Sequence, residues 1–216
     1  MELLQNEYDK RWIDLDYSAE SIGYTADFLK FMGRWSSIRP CGCAAVDIGC
    51  GDGYFSGKLR RLGYEVSGID ISPVAIDKAS KEHPECKFII HDLSRPLPFH
   101  DNSFNLAWCS ENLEHLFSPF TVLKEIYRIL QPRGRLLCTV PYHGLVKNIG
   151  IAIFAFERHY DPTYPHIRFF TKKSLSKIIE AAGFKIRWAG TCGSNLGLRD
   201  LFIPTNILMC AEKKVI

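Results

Sequence analysis

The sequence has no marked excess of charge of either sign and no apolar run long enough to cross a membrane. Its 27 lysines and arginines against 24 aspartates and glutamates leave a net charge of +3, and the basic residues are scattered, which argues against a nucleic-acid-binding surface. The longest uncharged apolar stretch, residues 148–156, is shorter than the roughly 20 residues that a transmembrane helix needs. We therefore expect no transmembrane segment and no nucleic-acid partner.

The sequence also lacks an export signal and a cysteine-based zinc site. Its first residues, MELLQNEYDK, contain no basic region followed by an apolar core, so we expect a cytoplasmic protein. Among eight cysteines, Cys41 and Cys43 form the only close pair, and a single CxC without a second Cys or His pair is a poor zinc signal. We expect reduced, mostly buried thiols.

What the sequence does contain is an alternation of apolar strands and amphipathic helices. With 216 residues, 46% of them hydrophobic, the chain has the size of one globular domain. The alternation requires crossover connections, so it predicts a doubly wound α/β fold around a parallel sheet. The predicted strands are 44–48, 64–69, 86–90, 104–109 and 135–140.

Two regions interrupt this alternation. Residues 1–40 carry several aromatic residues in helix-compatible segments, and we expect an N-terminal helical cap there, followed by one domain over residues 41–216. Residues 141–170 hold an apolar stretch and a loop rich in proline and tyrosine after the fifth strand. We expect these residues to form a lid insertion at the carboxyl edge of the sheet. A membrane interface is the alternative, weakened by the absence of a flanking basic cluster in the sequence.

A glycine-rich loop, DIGCGDG, runs from Asp47 to Gly53 between the first strand and a helix. Its glycines let the backbone turn tightly and approach a ligand closely. A nicotinamide fingerprint would need glycine where the chain has Tyr54, and a P-loop would need a following Gly-Lys-Ser/Thr. The carboxylates of Asp47 and Asp52 would repel a pyrophosphate, so the loop favours a ligand that carries positive charge.

Two further carboxylates follow the next strands of the predicted sheet. Asp70 ends the second strand, where an acidic side chain can accept hydrogen bonds from both ribose hydroxyls of a nucleoside. Asp92 follows the third strand and can accept a hydrogen bond from an exocyclic amine. Because the carboxyl ends of parallel strands meet at one edge, we expect these groups to face one crevice.

The series VDIGCGDGYF, GIDIS, IIHDL, FNLAWCSENLEHL and LQPRGRLLCTVP closely resembles the class I S-adenosylmethionine-dependent methyltransferases, over about residues 41–140. The later HIRFFTKKSLSKIIEAAGFKI is similar to their small-molecule O-methyltransferase branch, which includes ubiquinone-biosynthesis enzymes. The resemblance implies a Rossmann-like, mostly parallel sheet of seven strands in the order 3-2-1-4-5-7-6. Its last two strands, residues 184–190 and about 205–213, would form an antiparallel pair.

The resemblance also assigns the residues that bind S-adenosylmethionine. Asp70 would hold the ribose, Asp92 and the Leu93 amide would hold the adenine, and Ile71 would pack on the adenine face. The cofactor-binding residues expected nearer the methionine moiety lie in the glycine loop: Asp47, Gly49, Cys50, Gly51 and Gly53. The sulfonium and ammonium of this cofactor suit the acidic loop.

The acceptor side is expected directly after the fourth strand, in the sequence SENLEH. On a helix, Glu111, Glu114 and His115 would share one face at i, i+3 and i+4, and such a cluster can hold a divalent cation. In similar ubiquinone and plant small-RNA 2′-O-methyltransferases an ExxEH sequence binds Mg²⁺, and His166 resembles the additional histidine of the RNA enzymes. His115 as a metal-free general base is the competing interpretation. His143, after the fifth strand, is a further catalytic candidate.

The sequence therefore predicts an S-adenosylmethionine-dependent enzyme that methylates a hydroxyl of a small molecule, with Mg²⁺ as an optional second cofactor. An RNA ribose 2′-O-methyltransferase is the alternative within enzymes, and the missing basic surface counts against it. A cofactor-binding regulatory subunit without turnover is the alternative outside them. Tyr54 and the acidic loop disfavour a nicotinamide dehydrogenase. The sequence specifies neither the acceptor nor the oligomeric state.

Overall fold

The computed structural model describes residues 9, 23–36, 42–159, 166–193 and 204–215. The strands of these residues form one sheet and are, in chain order, β1 Ala44–Ile48, β2 Glu65–Asp70, β3 Lys87–Ile90, β4 Phe104–Ser110, β5 Leu130–Pro141, β6 Phe184–Cys192 and β7 Asn206–Lys213. Their order across the sheet is β3-β2-β1-β4-β5-β7-β6, which confirms the predicted topology. The pairs among β1 to β5 are parallel, and β7 runs antiparallel to both of its neighbours.

Helices connect the strands and cover both faces of the sheet. They are α1 Thr25–Trp35, α2 Tyr54–Arg61, α3 Pro73–Glu82, α4 Pro119–Ile129, α5 Leu145–Phe154, α6 Phe156–His159 and α7 Lys172–Ala181. Local sequence explains where several of them begin. Ser72 caps α3 by accepting a hydrogen bond from the Ala75 amide, and Thr171 forms a reciprocal capping box with Ser174 at the start of α7, so both helices begin at a side-chain cap.

The core lies in two layers because successive strand residues point to opposite faces of the sheet. In β4, Ala107 and Cys109 join the layer covered by α4 and α7. Leu106 and Trp108 join the layer that also contains Phe28 of α1 and Leu59 of α2. Helix α1 thus packs into the sheet's own core. Residues 1–8, 10–22 and 37–40 of the predicted cap lie outside the described residues, and the division at residue 41 stays a prediction.

Two local predictions differ from the structure. The fifth strand, predicted over residues 135–140, begins earlier, at Leu130, and accommodates Arg133 at a φ of +64°. The neighbouring β4–β5 register shifts between Phe104 and Leu106, as expected when a strand absorbs an irregular segment. The predicted helix after β4 is a single 3-10 turn, Leu113–His115. The predicted lid region contains α5 and α6, and its residues 160–165 lie outside the described residues.

Candidate active site

The glycine loop leaves β1 at the carboxyl edge of the sheet with its backbone in the left-handed region. Gly49, Gly51 and Gly53 have φ values of +70°, +51° and +78°, which L-residues with a side chain rarely adopt. The amides of Gly49 and Cys50 both donate to the Ile69 carbonyl, at 2.8 and 2.9 Å. The loop is therefore fastened to the end of β2, and at Gly49 and Gly53 the space that a Cβ would take is filled by neighbouring side chains, so the loop packs tightly.

Asp70, at the end of β2, organises the same edge. Its carboxylate accepts hydrogen bonds from the Gly51 amide at 2.9 Å and from the Ser72 amide at 3.0 Å. Burial raises the pKa of Asp70, while these amides act in the opposite direction. Asp9 reaches the same place and accepts a hydrogen bond from the Ser72 hydroxyl. The N-terminal segment thus contacts the point where the sequence predicted ribose binding.

The loop is acidic and buried. Asp47 is 2% exposed and accepts a hydrogen bond from the Ser56 hydroxyl at 2.7 Å. Burial, assisted by the nearby charges of Asp70 and Asp52, raises the pKa of Asp47 to about 7. Asp52 is also buried, and the ammonium of Lys78 lies 3.9 Å from its carboxylate. Three neighbouring carboxylates in a site of low polarity favour a cationic ligand.

The remaining predicted cofactor residues lie along the same edge. Asp92 follows β3 in a turn and accepts a hydrogen bond from the Ser94 amide at 2.8 Å. Burial opposes ionisation of Asp92, but the hydrogen bonds from Ser94 outweigh it and lower its pKa. Leu93 is buried, and Ile71 is half-buried between Asp70 and the start of α3. Cys50 is buried in the glycine loop, and burial raises its pKa, so the thiol stays protonated.

Asn112, which the sequence analysis did not single out, joins the cofactor loop to the acceptor side. Its side-chain amide donates to the Ile48 carbonyl at 2.9 Å and to the Ser110 carbonyl at 2.7 Å. A Cβ added at Gly49 would lie 2.0 Å from the Asn112 Oδ1 atom. The tight contact fixes the segment after β4 against the glycine loop. A Gly facing an Asn across two strand ends leaves no periodic signal in a sequence.

Glu111 occupies a different place from the one its spacing predicted. Its φ of +52° takes it out of any helix, and its carboxylate accepts hydrogen bonds from Thr139 Oγ1 at 2.9 Å and Asn206 Nδ2 at 2.7 Å. Burial raises the pKa of Glu111 to about 7, against the effect of those hydrogen bonds. The expected shared helix face of Glu111, Glu114 and His115 is therefore wrong, because Glu111 is held between β5 and β7.

The structure does bring Glu114, His115 and His166 together. One potential ligand atom from each residue lies within 4.8 Å of the others, and the two imidazole rings pack edge to face with centroids 4.8 Å apart. The Glu114 carbonyl accepts hydrogen bonds from the amides of Ile167 and Arg168, both at 3.0 Å. These bonds hold the segment after residue 166 against the 3-10 turn, so a residue about fifty positions away completes the group.

The Glu114 carboxylate is an unusual group for a protein interior. The residue is 1% exposed, and neither carboxylate oxygen accepts a hydrogen bond from the described residues. The His115 Nε2 atom lies 3.8 Å from the Glu114 Oε1 atom. Burial, and then the charge of Glu111, raises the pKa of Glu114 well above its usual value. A buried acid with such sparse bonding is suited to a ligand that supplies positive charge or accepts a proton.

His143 lies in a separate cluster beneath the lid region. It is buried, its Nδ1 atom is 3.3 Å from Oδ1 of Asn148, and its ring packs on Phe169 and His159. Burial, followed by the charge of Lys147, lowers the pKa of His143 to about 4. The neutral ring joins the end of β5 to α5 and α6. Its predicted catalytic role stays a prediction.

Comparison with known proteins identifies the class. The model of the Methyltransferase domain family matches residues 46–138. The mitochondrial ubiquinone biosynthesis O-methyltransferase of Schizosaccharomyces pombe is 32% identical over 233 residues, covering 96% of this chain and 84% of the relative. The 2-methyl-6-phytyl-1,4-hydroquinone methyltransferase of Synechocystis is 33% identical over 117 residues, covering 51% of this chain and 36% of the relative. The chain thus spans only about a third of that relative's length.

Solved structures agree on the fold. The methyltransferase of a complex with the Haloferax volcanii Trm112 methyltransferase activator superimposes with a TM-score of 0.78 at 20% identity, covering 98% of both chains. The 1,6-didemethyltoxoflavin-N1-methyltransferase of Burkholderia thailandensis, solved with S-adenosylhomocysteine, superimposes with a TM-score of 0.73 at 17% identity. The match covers 99% of this chain and 88% of that one. The chain belongs to the class I S-adenosylmethionine-dependent methyltransferases, and S-adenosylmethionine is its cofactor.

The lengths of the helices bear on whether the chain spans a membrane. Among the helices that the structure describes, α5 is the most apolar, and it has ten residues. Within the described ranges no helix is both long and apolar enough to span a bilayer.

Proposed function

We propose that the protein transfers the methyl group of S-adenosylmethionine to a hydroxyl of a small molecule. The observation that carries this proposal is the group formed by Glu114, His115 and His166. Glu114 lies two residues after Asn112, and the side chain of Asn112 is hydrogen-bonded to the end of β1. We therefore assign acid, base and potential metal ligands to the part of the site next to the loop that we assign to the methionine moiety. The curated relative named as an O-methyltransferase along nearly the whole chain supports the same reaction.

Methyl transfer from a sulfonium needs little activation of the donor. The acceptor oxygen attacks the methyl carbon, the carbon–sulfur bond breaks, and its electron pair stays on sulfur, so that S-adenosylhomocysteine leaves. Alignment of the oxygen with the methyl carbon can supply about 7–11 kcal/mol of the rate enhancement. The hydroxyl proton must also leave, and the imidazole of His115 is the group we assign to accept it.

The three residues also fit a divalent cation. Glu114 offers two carboxylate oxygens without hydrogen bonds from the described residues, and the two imidazoles lie within reach of the same point. A bound cation would lower the pKa of an acceptor hydroxyl and orient it. One carboxylate with two imidazoles suits Mn²⁺ or Fe²⁺ better than Mg²⁺, which prefers oxygen ligands. The Mg²⁺ expected from the sequence relied on Glu111 as a second carboxylate, which Thr139 and Asn206 hold elsewhere.

The test is an acceptor screen with S-adenosylmethionine labelled in its methyl group. Aryl and alkyl hydroxyl compounds are offered in parallel with amines, and each reaction is run with Mn²⁺, with Mg²⁺ and in excess chelator. We expect label on hydroxyl acceptors, with the rate strongly reduced by chelator and restored by Mn²⁺. Full activity in excess chelator would show that the reaction needs no metal, and His115 would then be the metal-free base. Label on amines alone would contradict O-methylation.

Two other functions are separated by the same assay. Transfer of label to RNA ribose would favour the RNA enzyme, against which the small overall charge of +3 counts. Tight cofactor binding without transfer to any acceptor would favour the regulatory subunit.

A further inference from the structure

Helix α5 shows the reverse of the polarity expected for a surface helix. Its exposed residues are large and apolar, among them Leu145, Ile149, Ile153 and Phe154, the last two exposed by 66% and 85%. At 100° per residue, these side chains and Val146 occupy one half of the helix. Phe156, 58% exposed at the start of α6, extends the same apolar surface. None of the residues of α5 is buried.

The polar residues of α5 lie on its other half, towards the protein. Asn148 is half-buried and contacts the buried His143 ring. Lys147 is also half-buried. Burial is the main cause of the raised pKa of Glu111 and the lowered pKa of His143, and the charge of Lys147 acts on both. A helix with polar residues facing the protein and apolar residues facing outward is suited to contact an apolar environment rather than water.

Basic residues lie on the chain that packs beside this helix. Phe170 forms a bridge with Tyr142 at the end of β5, and its carbonyl accepts a hydrogen bond from the His143 amide at 2.8 Å. The exposed Arg168, Lys172 and Lys173 lie within three residues of Phe170, and Arg168 also donates a hydrogen bond to the Phe117 carbonyl at 2.7 Å. Residues 142–156 and 166–174 contain no aspartate or glutamate, and the exposed Glu157 follows directly after Phe156. The fold thus supplies the basic neighbours that the sequence around α5 lacks.

From these observations we propose that the outward face of α5, with Phe156, binds the interface of an anionic lipid membrane, assisted by Arg168, Lys172 and Lys173. The apolar side chains enter the boundary between headgroups and acyl chains, and the basic side chains contact the headgroup phosphates. A second copy of the chain is a poorer occupant, because a two-fold contact would bring the same basic residues together. The membrane binding goes beyond the proposed reaction and does not require it.

The test measures binding of the full chain to vesicles by co-sedimentation. Vesicles of phosphatidylcholine alone are compared with vesicles that also contain phosphatidylglycerol. The Ile153→Glu, Phe154→Glu double variant removes the apolar face, and the Lys172→Glu, Lys173→Glu double variant removes part of the charge. Val215→Glu, at an apolar position exposed by 61% near the other end of the chain, is the matched control. Calorimetry with S-adenosylmethionine verifies that every variant is folded.

We expect the wild type and Val215→Glu to bind the phosphatidylglycerol vesicles equally. The apolar-face variant should bind about tenfold or more weakly, and the lysine variant should lose the preference for anionic lipid. Absence of wild-type binding, or equal binding by the apolar-face variant, would overturn the proposal. A wild-type dimer that the apolar-face variant dissociates would assign the face to a second copy. A rise in acceptor KM without any change in vesicle binding would assign it to a lid.

The two proposals fail in different ways. If methyl transfer to hydroxyls is not found, vesicle binding of the wild type still supports the membrane face. If vesicle binding is absent while transfer proceeds, only the membrane face is lost.

Discussion

At the scale of single residues, Asp70 is the most direct link between the sequence and the cofactor. One carboxylate accepts hydrogen bonds from two backbone amides and lies at the end of β2. Replacement by alanine removes these bonds and the expected contacts with the ribose, so we predict that Asp70→Ala weakens S-adenosylmethionine binding by about 1.5–3 kcal/mol. Calorimetry measures this loss. Asp77→Ala, on the exposed side of α3, is the control, and equal affinities of the two variants would contradict the assignment.

The raised pKa of Asp47 leads to a prediction about how the stability of the fold depends on pH. Its pKa of about 7 in the fold exceeds the value of about 3.9 in an unfolded chain, because burial disfavours the charge. The folded protein therefore holds an extra proton between these values, and the stability that Asp47 contributes decreases as pH rises from about 4 to 7. Asp47→Asn should remove that decrease, which for one proton is at most about 1.4 kcal/mol per pH unit.

Urea unfolding of the cofactor-free protein at pH 5 and pH 7 tests this. The difference in the free energy of unfolding between the two pH values should be smaller in Asp47→Asn than in the wild type. An identical difference in both proteins would show that Asp47 is ionised in the fold at pH 5.

Some residues of the site could be predicted from a local sequence pattern, and others could not because they depend on distant contacts. Asp70 follows a strand in a glycine-loop context, so its position at the carboxyl edge could be predicted. Glu111 and Asn112 depend on contacts with the distant Asn206 and Ile48, and no spacing in the sequence reports such contacts. The meeting of His166 with Glu114 and His115 came from a resemblance, since the residues between them fix the distance only through the fold.

At the scale of elements, the glycine loop and the segment after β4 act as one unit. A methyl group at position 49 would overlap the Asn112 side chain, and the φ of +70° disfavours any L-side chain. We predict that Gly49→Ala destabilises the protein by at least about 1 kcal/mol and weakens cofactor binding. Thermal unfolding and calorimetry are the measurements.

Gly33 provides the matched control for that change. It lies in α1 with nothing within 4 Å of an added Cβ. Gly33→Ala should therefore stabilise the protein by about 0.5–1 kcal/mol, because alanine loses less backbone entropy in a helix. Destabilisation by both variants to the same extent would contradict a specific role for the Gly49–Asn112 contact.

The elements themselves were largely predictable, and the misses have physical causes. The hydrophobic pattern located β1, predicted over residues 44–48, because burial of the strand dictates that pattern. The segment after β4 has helical spacing, yet the side chain of Asn112 bonds to carbonyls of β1 and β4 and leaves only the 3-10 turn Leu113–His115. A tertiary hydrogen bond here overrides the local preference.

At the scale of the whole molecule, the alternation of strands and helices predicts a doubly wound parallel sheet, whereas the strand order and the antiparallel last pair were implied by the resemblance. The outward polarity of α5 was not predictable, because an apolar stretch in a sequence indicates neither which side of the helix faces the protein nor which residues pack beside it. The contact of Asn148 with the buried His143 turns the polar half of α5 towards the protein, and the bridge between Tyr142 and Phe170 joins the start of this region to residues 166–170. It also brings the basic residues of the 168–173 segment to the helix.

The central claim is that Glu114, His115 and His166 serve the acceptor and that the glycine loop with Asp70 serves the cofactor. The most direct test is the single-turnover rate of methyl transfer from saturating S-adenosylmethionine in Glu114→Gln, with an acceptor found in the screen. The variant keeps the size of the side chain and loses the carboxyl group that could bind a cation or exchange a proton. We predict a cofactor affinity close to that of the wild type and a transfer rate reduced by about 100-fold or more. A wild-type rate, or a cofactor affinity lost in parallel with the rate, would contradict the account.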